Sequence, residues 1–210
     1  MGSRSICITR EELVTPPEFS HVPQRSNATG RVGGARLEMR AHETQTHLGH
    51  CYQQIPLRVM PSFTFDDEPA ALLYLITLTT GLMDGDAHLI TLAAREGTRS
   101  VVTGQSATRI HPAGASFASQ QYQITVEDNA FLVVLPGPAI PYRGARFYQR
   151  GRVELAPTAR LLWADIWFAG RYDRGELSER FVFERIVQDF EVRRAGELVY
   201  RDRFRWDGPW

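Results

Sequence analysis

The sequence has 210 residues, which is enough for one domain with a sizeable hydrophobic core. Its 24 basic and 24 acidic residues cancel, so it lacks the excess positive charge that a general nucleic-acid-binding protein needs. All the basic residues are arginine, which excludes a lysine nucleophile or Schiff base. Two cysteines, Cys7 and Cys51, make no disulfide framework, and no apolar run approaches the ~20 residues that span a bilayer. We therefore expect a cytoplasmic protein that binds neither nucleic acid nor membrane.

The composition of the chain changes near residue 35. Residues 1–34 are rich in Pro, Ser, Thr, Gly and Arg and lack a periodic apolar pattern, so we predict a flexible leader. In residues 35–210, short apolar or alternating runs are separated by turn residues, which predicts an all-β domain with at most one or two short helices. The predicted strands are Ala35–Ala41, Leu57–Met60, Leu72–Thr79, Leu89–Ala93, Ser100–Thr103, Ser119–Val126, Phe131–Leu135, Phe147–Leu155, Leu161–Phe168, Glu179–Val187, Phe190–Arg193 and Leu198–Phe204.

The segment from Thr79 to His88 carries two aspartates and a histidine around a glycine. If the chain turns at Gly85 and continues as a strand, Asp86 and His88 point to the same face, and oxygen and nitrogen ligands for a divalent cation come together. The other interpretation is an ordinary turn, because Asp-Gly is foremost a turn signal.

Two further carboxylates interrupt predicted strands. Asp165 lies within an apolar run, where a carboxylate must be paired, hydrogen-bonded or open to water. A structural salt bridge, to Arg171 or Arg109, and a polar lining of a cavity or channel are the two interpretations. Asp202 lies between two arginines, so ion pairing with its neighbours is the simplest explanation for it.

Sequence motifs of common enzymes are missing from the chain. There is no Gly-x-Ser-x-Gly, no phosphate-binding Gly-x-x-x-x-Gly-Lys and no His-Glu-x-x-His. The sequence therefore gives no sign of the serine-hydrolase, P-loop or zinc-protease chemistry that these motifs carry. A carboxylate-based hydrolase using Asp86, Asp165 or Glu176 remains the third-ranked hypothesis.

Four short motifs follow one another after Gly34: the Gly81–Asp86 segment, Thr103–Ile110, Leu132–Pro136 and the stretch from Asp165 to Glu176. In their order and spacing they resemble motifs of the urease accessory protein UreD (UreH) family. Gly104, Arg109 and Val133 depart from it. The positions carried over are Gly81, Gly85, Thr103, Gln105, Arg109, Pro136, Gly170, Arg171, Gly175 and Glu176.

The resemblance implies a β-rich, solenoid-like scaffold rather than an enzyme. It implies binding to apo-urease and UreF, recruitment of the GTPase UreG through UreF, and a GTP-dependent chaperone complex that inserts nickel into urease. Asp86, Asp165 and Asp202 would then lie on a transient nickel path, with no tightly bound cofactor. Family members continue further, so we expect residues 35–210 to be a UreD-like domain without the family's C-terminal part.

Two expectations about binding complete this prediction. Arg143, Arg146, Phe147 and Tyr148 are candidate anchors for a partner surface, because arginine and aromatic residues are enriched at interface hot spots. The alternative to the nickel scaffold is a degenerate all-β protein-binding module with no role in nickel transfer.

Overall fold

The computed structural model describes residues 7–23, 30–61, 63–65, 68–172 and 179–210. In these residues the structure is all-β, as predicted, with two three-residue 3₁₀ helices, Arg10–Glu12 and Pro17–Phe19. The strands are β1 Val32–His42, β2 Gln45–Gln54, β3 Leu57–Val59, β4 Phe63–Phe65, β5 Glu68–Thr77, β6 Ala87–Ala94, β7 Arg99–Gly104, β8 Thr108–Ile110, β9 Ala118–Val126, β10 Phe131–Leu135, β11 Pro138–Pro141, β12 Arg146–Leu155, β13 Arg160–Trp163, β14 Ile166–Trp167, β15 Arg185–Arg194 and β16 Glu197–Asp207.

The strands form three sheets, and consecutive strands of the chain join the large, the middle and the small sheet in turn. The large sheet has seven strands in the order β16-β15-β12-β9-β6-β1-β2, the middle sheet runs β13-β10-β7-β5-β3 with β4 beside β5, and the small sheet is β14-β11-β8. After β6 in the large sheet come β7 in the middle sheet and β8 in the small sheet, and the next two passes repeat this order. The solenoid-like shape stays a prediction, because strand pairing gives order and not overall shape.

Pairing is parallel between the successive passes of the chain. In the large sheet, β1, β6, β9, β12 and β15 pair in parallel. The two edge strands, β2 and β16, pair antiparallel with β1 and β15. Parallel neighbours require a long crossover, and here strands of the other two sheets make it. Among the described residues no helix is long and apolar enough to cross a membrane.

The hydrophobic core lies mainly between the large and middle sheets. Alternate residues of each strand point inward, as a period of two requires, so Ile90, Tyr122 and Leu132 are almost fully buried. A second cluster, which includes Leu82, Ile110 and Phe147, lies against the small sheet. Both cores are built from the inner faces of the same long strands.

Several parts of the chain differ from the sequence prediction, and the short strands β4, β8 and β11 were not predicted. The predicted strand Leu161–Phe168 is two strands, β13 and β14, which belong to different sheets. Residues 179–184 are not a strand, because β15 begins only at Arg185 and continues through the separately predicted strand that follows. Strand β2 was missed because its residues are mostly polar, which suits an edge strand with exposed faces.

Residues 7–23 of the predicted leader pack on the outer face of the large sheet, and its residues 32–34 begin β1. We call residues 7–23 the strap. Ile8 and Phe19 are almost fully buried, although the composition of the segment predicts flexibility. Tertiary contacts with the sheet therefore order residues whose local sequence has little preference for regular structure. The division of the chain at residue 34 stays a prediction.

Candidate functional site

Asp165 and Asp202 line the same cavity, which has a volume of about 380 Å³. Asp165 lies in the corner between β13 and β14, where the chain leaves the middle sheet for the small sheet. Asp202 lies on β16, at the edge of the large sheet. The other lining residues are mainly apolar and aromatic: Leu155, Leu161, Trp163, Gln188, Phe190, Val192 and Tyr200.

The carboxyl group of Asp165 is held by two neutral donors. The Gln149 side-chain amide donates to Oδ1 at 2.8 Å, and the Trp163 indole N–H donates to Oδ2 at 2.6 Å. Burial raises the pKa of Asp165 above its usual value, and the nearby charge of Asp202 adds to this, while the two hydrogen bonds act against it. Of the two interpretations of Asp165, the salt bridge to Arg171 or Arg109 is wrong, because no salt bridge joins Asp165 to either arginine among the described residues, and Arg171 pairs with Glu179.

The carboxylate of Asp202 has no hydrogen-bond or salt-bridge partner among the described residues. Its neighbours Arg201 and Arg203 point to the opposite face of β16, because side chains alternate along a strand. Arg203 pairs with Glu18 at 2.6 Å, and Arg201 lies 3.9 Å from Asp189. The interpretation of Asp202 as an ion pair with its flanking arginines is therefore wrong.

A third acceptor faces the same cavity. Gln188 on β15 is only 6% exposed, and its Oε1 atom has no hydrogen-bond partner in the described structure. Two carboxyl groups and one buried amide oxygen thus line a cavity whose other walls are largely apolar. Such a set of oxygen acceptors without a cationic side chain has the chemistry to accept a cation.

Gln188 is also the last member of a buried polar row across the inner face of the large sheet. Register pairing aligns its members, and none is more than 8% exposed. Both ring nitrogens of His88 lack a hydrogen-bond partner in the described chain, and burial lowers its pKa to about 4. The members of this inner row are His88, Gln120, Gln149 and Gln188.

Asp86 does not line the 380 Å³ cavity. It immediately precedes β6 and is 2% exposed, and its two oxygens accept hydrogen bonds from the backbone N–H groups of Arg31 at 2.8 Å and Met83 at 2.9 Å. Asp84 similarly accepts from three backbone N–H groups, at residues 114–116. The two aspartates on either side of Gly85 therefore stabilise loops through hydrogen bonds to the backbone. Among the described residues, no cluster of three His, Cys, Asp or Glu side chains could hold a metal.

We expect Asp86→Ala to lower the free energy of unfolding by about 2–4 kcal/mol, because two buried backbone donors lose their acceptor. The matched Asp86→Asn variant keeps one acceptor oxygen and should lose about half as much. Urea unfolding at an unchanged m-value measures both differences. Equal stability of the Ala variant and the native chain would contradict the structural role and return Asp86 to the predicted metal path.

Five of the family-motif positions meet around a second, small cavity. Gly81, Thr103, Gln105, Arg109 and Pro136 all line a space of about 50 Å³ beside Gln120 of the inner row. Gly81 has a positive φ of 140°, and a Cβ there would lie 2.2 Å from the carbonyl oxygen of residue 109. Glycine is thus required for β8 to approach the loop that follows β5.

The remaining motif positions lie elsewhere. Gly85 adopts a φ of 81° in its turn, which fits the turn interpretation, and its carbonyl accepts from Arg10 at 2.9 Å. A Cβ at Gly170 would lie 1.9 Å from the Glu179 carbonyl oxygen, and Arg171 stacks over Tyr142 at 4.1 Å while pairing with Glu179. Gly175 and Glu176 lie outside the described residues.

The expected partner anchors are largely buried or already paired. Phe147 and Tyr148 are each 1% exposed, so they belong to the interior and to the layer beneath the strap, and their prediction as surface anchors is wrong. Arg146 pairs with Glu184 at 2.7 Å. Arg143 alone among the four is exposed.

The fold and the cavities define a class: an all-β protein, built from three sheets, with two carboxyl groups in a largely apolar cavity. The family model for the UreD urease accessory protein matches residues 31–210. Relatives include urease accessory protein UreD 2 of Methylorubrum extorquens strain PA1, which is 34% identical over 82% of this chain and 56% of its own length. UreD 2 of Streptomyces griseus is 32% identical over 83% of this chain and 60% of its own length.

The chain belongs to the UreD urease accessory protein family, because the family model covers most of its length. It spans little more than half the length of the curated relatives it matches. The resemblance found in the sequence motifs is therefore confirmed.

Proposed function

We propose that this chain is a non-catalytic scaffold for urease maturation. In this proposal it binds UreF and apo-urease, recruits UreG through UreF, and forms part of a GTP-dependent complex that delivers nickel to the urease active site. Membership of the UreD family supports the accessory role. Nickel is the cargo of this process and not a resident cofactor.

The observation that carries the nickel step is the pair of carboxyl groups at the 380 Å³ cavity. Asp202 has no cationic partner among the residues described, and Asp165 is held by neutral donors only. A charge left uncompensated next to another buried carboxyl group is unfavourable, and a passing divalent cation would relieve this. Asp165, which is held by neutral donors, and Asp202, which has no donor among the described residues, thus have no positively charged side chain that competes with the ion.

Nickel would meet Asp202, Asp165 and the Oε1 atom of Gln188 in this cavity. Two carboxylates and an amide oxygen are hard ligands, which bind nickel more weakly than thiolates or several imidazoles. Weak binding suits transfer, because a cation held permanently would not reach urease. Trp163 and Gln149 would position Asp165 during this step through their hydrogen bonds.

Co-purification tests the scaffold role. The tagged chain is expressed with UreF and apo-urease from a urease-positive bacterium, and we expect both to co-purify with it. The control is the tag alone at the same expression level. A folded chain that retains neither protein would contradict the scaffold proposal and favour the all-β binding module without a nickel role.

A further inference from the structure

A row of outward-facing residues crosses all seven strands of the large sheet on the side that carries the strap. Register pairing places its members opposite one another from β2 to β16. We call it the outer row, and its members are Gln54, Gly34, Leu89, Gln121, Arg150, Asp189 and Arg203.

The strap follows this outer row and is bound through its backbone at Ile8 and Val14 and through side-chain ion pairs, including Glu12 with Arg36 at 2.6 Å. The Gln54 amide exchanges two hydrogen bonds with Ile8, accepting from its N–H at 3.0 Å and donating to its carbonyl at 2.9 Å. Gln121 holds Val14 in the same way, at 3.0 and 2.8 Å. Paired hydrogen bonds of this kind recognise the N–H and C=O groups of an extended backbone and not a particular side chain.

The end of the strap adds a charge and an aromatic anchor. Arg203 donates to the Glu18 carboxylate at 2.6 Å. Phe19 stacks on Phe117 with ring centroids 4.6 Å apart and packs with Tyr148 and Val187. The surface thus recognises an acidic residue followed directly by an aromatic one.

Polar atoms of the strap and of the sheet beneath it lack hydrogen-bond partners. Among the described residues, Thr15 Oγ1, Glu18 Oε2 and Arg150 Nε are buried and make no hydrogen bond. Arg150 makes no salt bridge within the described structure, although Asp189 lies opposite it on β15. Burial, with Arg152, lowers the pKa of Arg150, and the nearby charges of Asp189 and Glu191 only partly offset this. In the outer row Arg150 lies next to Gln121, which binds Val14, and Thr15 is the strap residue that follows Val14 toward Arg203. An acidic side chain there would pair with Arg150.

We propose that the outer row is a peptide-binding surface, occupied here by the strap, that accepts in its place an extended segment of a partner protein. The partner segment would carry an acidic side chain opposite Arg150 and an acidic–aromatic pair at the positions of Glu18 and Phe19. The strap places no acidic side chain on Arg150, and a partner segment that does so would gain an ion pair that the strap lacks and would displace it. The strap lies outside the residues that the family model matches, and this inference does not depend on the proposed function.

A labelled synthetic peptide of residues 7–23 is the probe, alone and with Thr15→Glu. The full chain is used with its native strap and with a weakened strap, Glu18→Ala/Phe19→Ala, and circular dichroism confirms that both are folded. The native strap competes with the peptide, so we expect the weakened chain to bind the peptide at least about tenfold more tightly than the native chain. The Thr15→Glu peptide should bind more tightly still, and Arg150→Met should remove that gain and leave the parent peptide's affinity unchanged.

A folded weakened chain that binds neither peptide would overturn the proposal, as would a weakened chain that dimerises by exchanging straps and excludes the peptide. If the weakened chain does not fold, hydrogen exchange on the native chain decides. Saturating Thr15→Glu peptide should remove protection from the Ile8 and Val14 amides, and unchanged protection would overturn the proposal.

Discussion

A chain carrying both Asp165→Asn and Asp202→Asn is expected to lower urease activation about tenfold or more, while the protein still folds. Both substitutions remove the charges that would attract nickel into the 380 Å³ cavity. Asp202→Asn breaks no hydrogen bond or salt bridge that the structure describes, and removes a charge beside a buried carboxyl group. Asp165→Asn removes one hydrogen-bond acceptor, which is destabilising. It also removes the cost of burying a charge, which is stabilising, since burial raises the pKa of that carboxyl group.

The free energy of unfolding should therefore stay within about 1 kcal/mol of the native value. Urease activity in a host that lacks its own UreD and urea unfolding of the purified chain are the two measurements. Glu197→Gln, which neutralises an exposed acid on the same strand as Asp202, is the matched control and should retain full activation. Full activation by the double variant would show that the cavity acids take no part in nickel delivery.

The native chain is expected to lose roughly 3 kcal/mol of stability between pH 6.5 and pH 4 because of His88 alone. Burial lowers the pKa of this imidazole from 6.5 to about 4, so in that window the unfolded chain binds a proton that the folded chain excludes. The contribution of neutral His88 to the free energy of unfolding is thus fully present above pH 6.5, and it is lost as the pH falls from 6.5 to about 4. Carboxylates whose pKa is lowered, such as Glu179 and Asp207, also stabilise the folded chain, but this stabilisation is lost at lower pH, where they become protonated.

His88→Leu should remove this pH dependence and be at least as stable as the native chain at pH 7, because both ring nitrogens are buried without partners. Urea midpoints at pH 7, 6, 5 and 4.5 compare the two chains. Parallel curves for native and variant would mean that His88 is solvated or hydrogen-bonded in the folded protein.

The fold could be predicted where the burial pattern is simple. The interval predicted as strand at 131–135 agrees with β10 at both ends, because a short apolar run between Asn129 and Pro136 has only one interpretation. The run at 161–168 could not be divided from sequence alone. Its break at Asp165 is set by the passage from the middle sheet to the small sheet, which depends on long-range pairing.

The candidate site could be predicted only in part for a related reason. A carboxylate within a strand is costly to bury, which singles out Asp165 and Asp202, and the period of two already places Arg201 and Arg203 on the opposite face of the strand from Asp202. Only the pairing of β15 with β16 shows that Asp202 faces the cavity. Gln149 and Gln188 were missed, since a glutamine in an alternating strand ordinarily faces water. Their burial follows from the sheets that cover them.

Nickel bound per urease is the most direct test of the maturation scaffold. Urease is purified from a urease-positive host whose UreD gene is deleted, with and without this chain, and its nickel is measured by mass spectrometry. The account predicts that the chain restores nickel to urease together with activity, and that Asp202→Asn lowers both while UreF still co-purifies. Urease that stays without nickel beside a folded chain bound to UreF would contradict it.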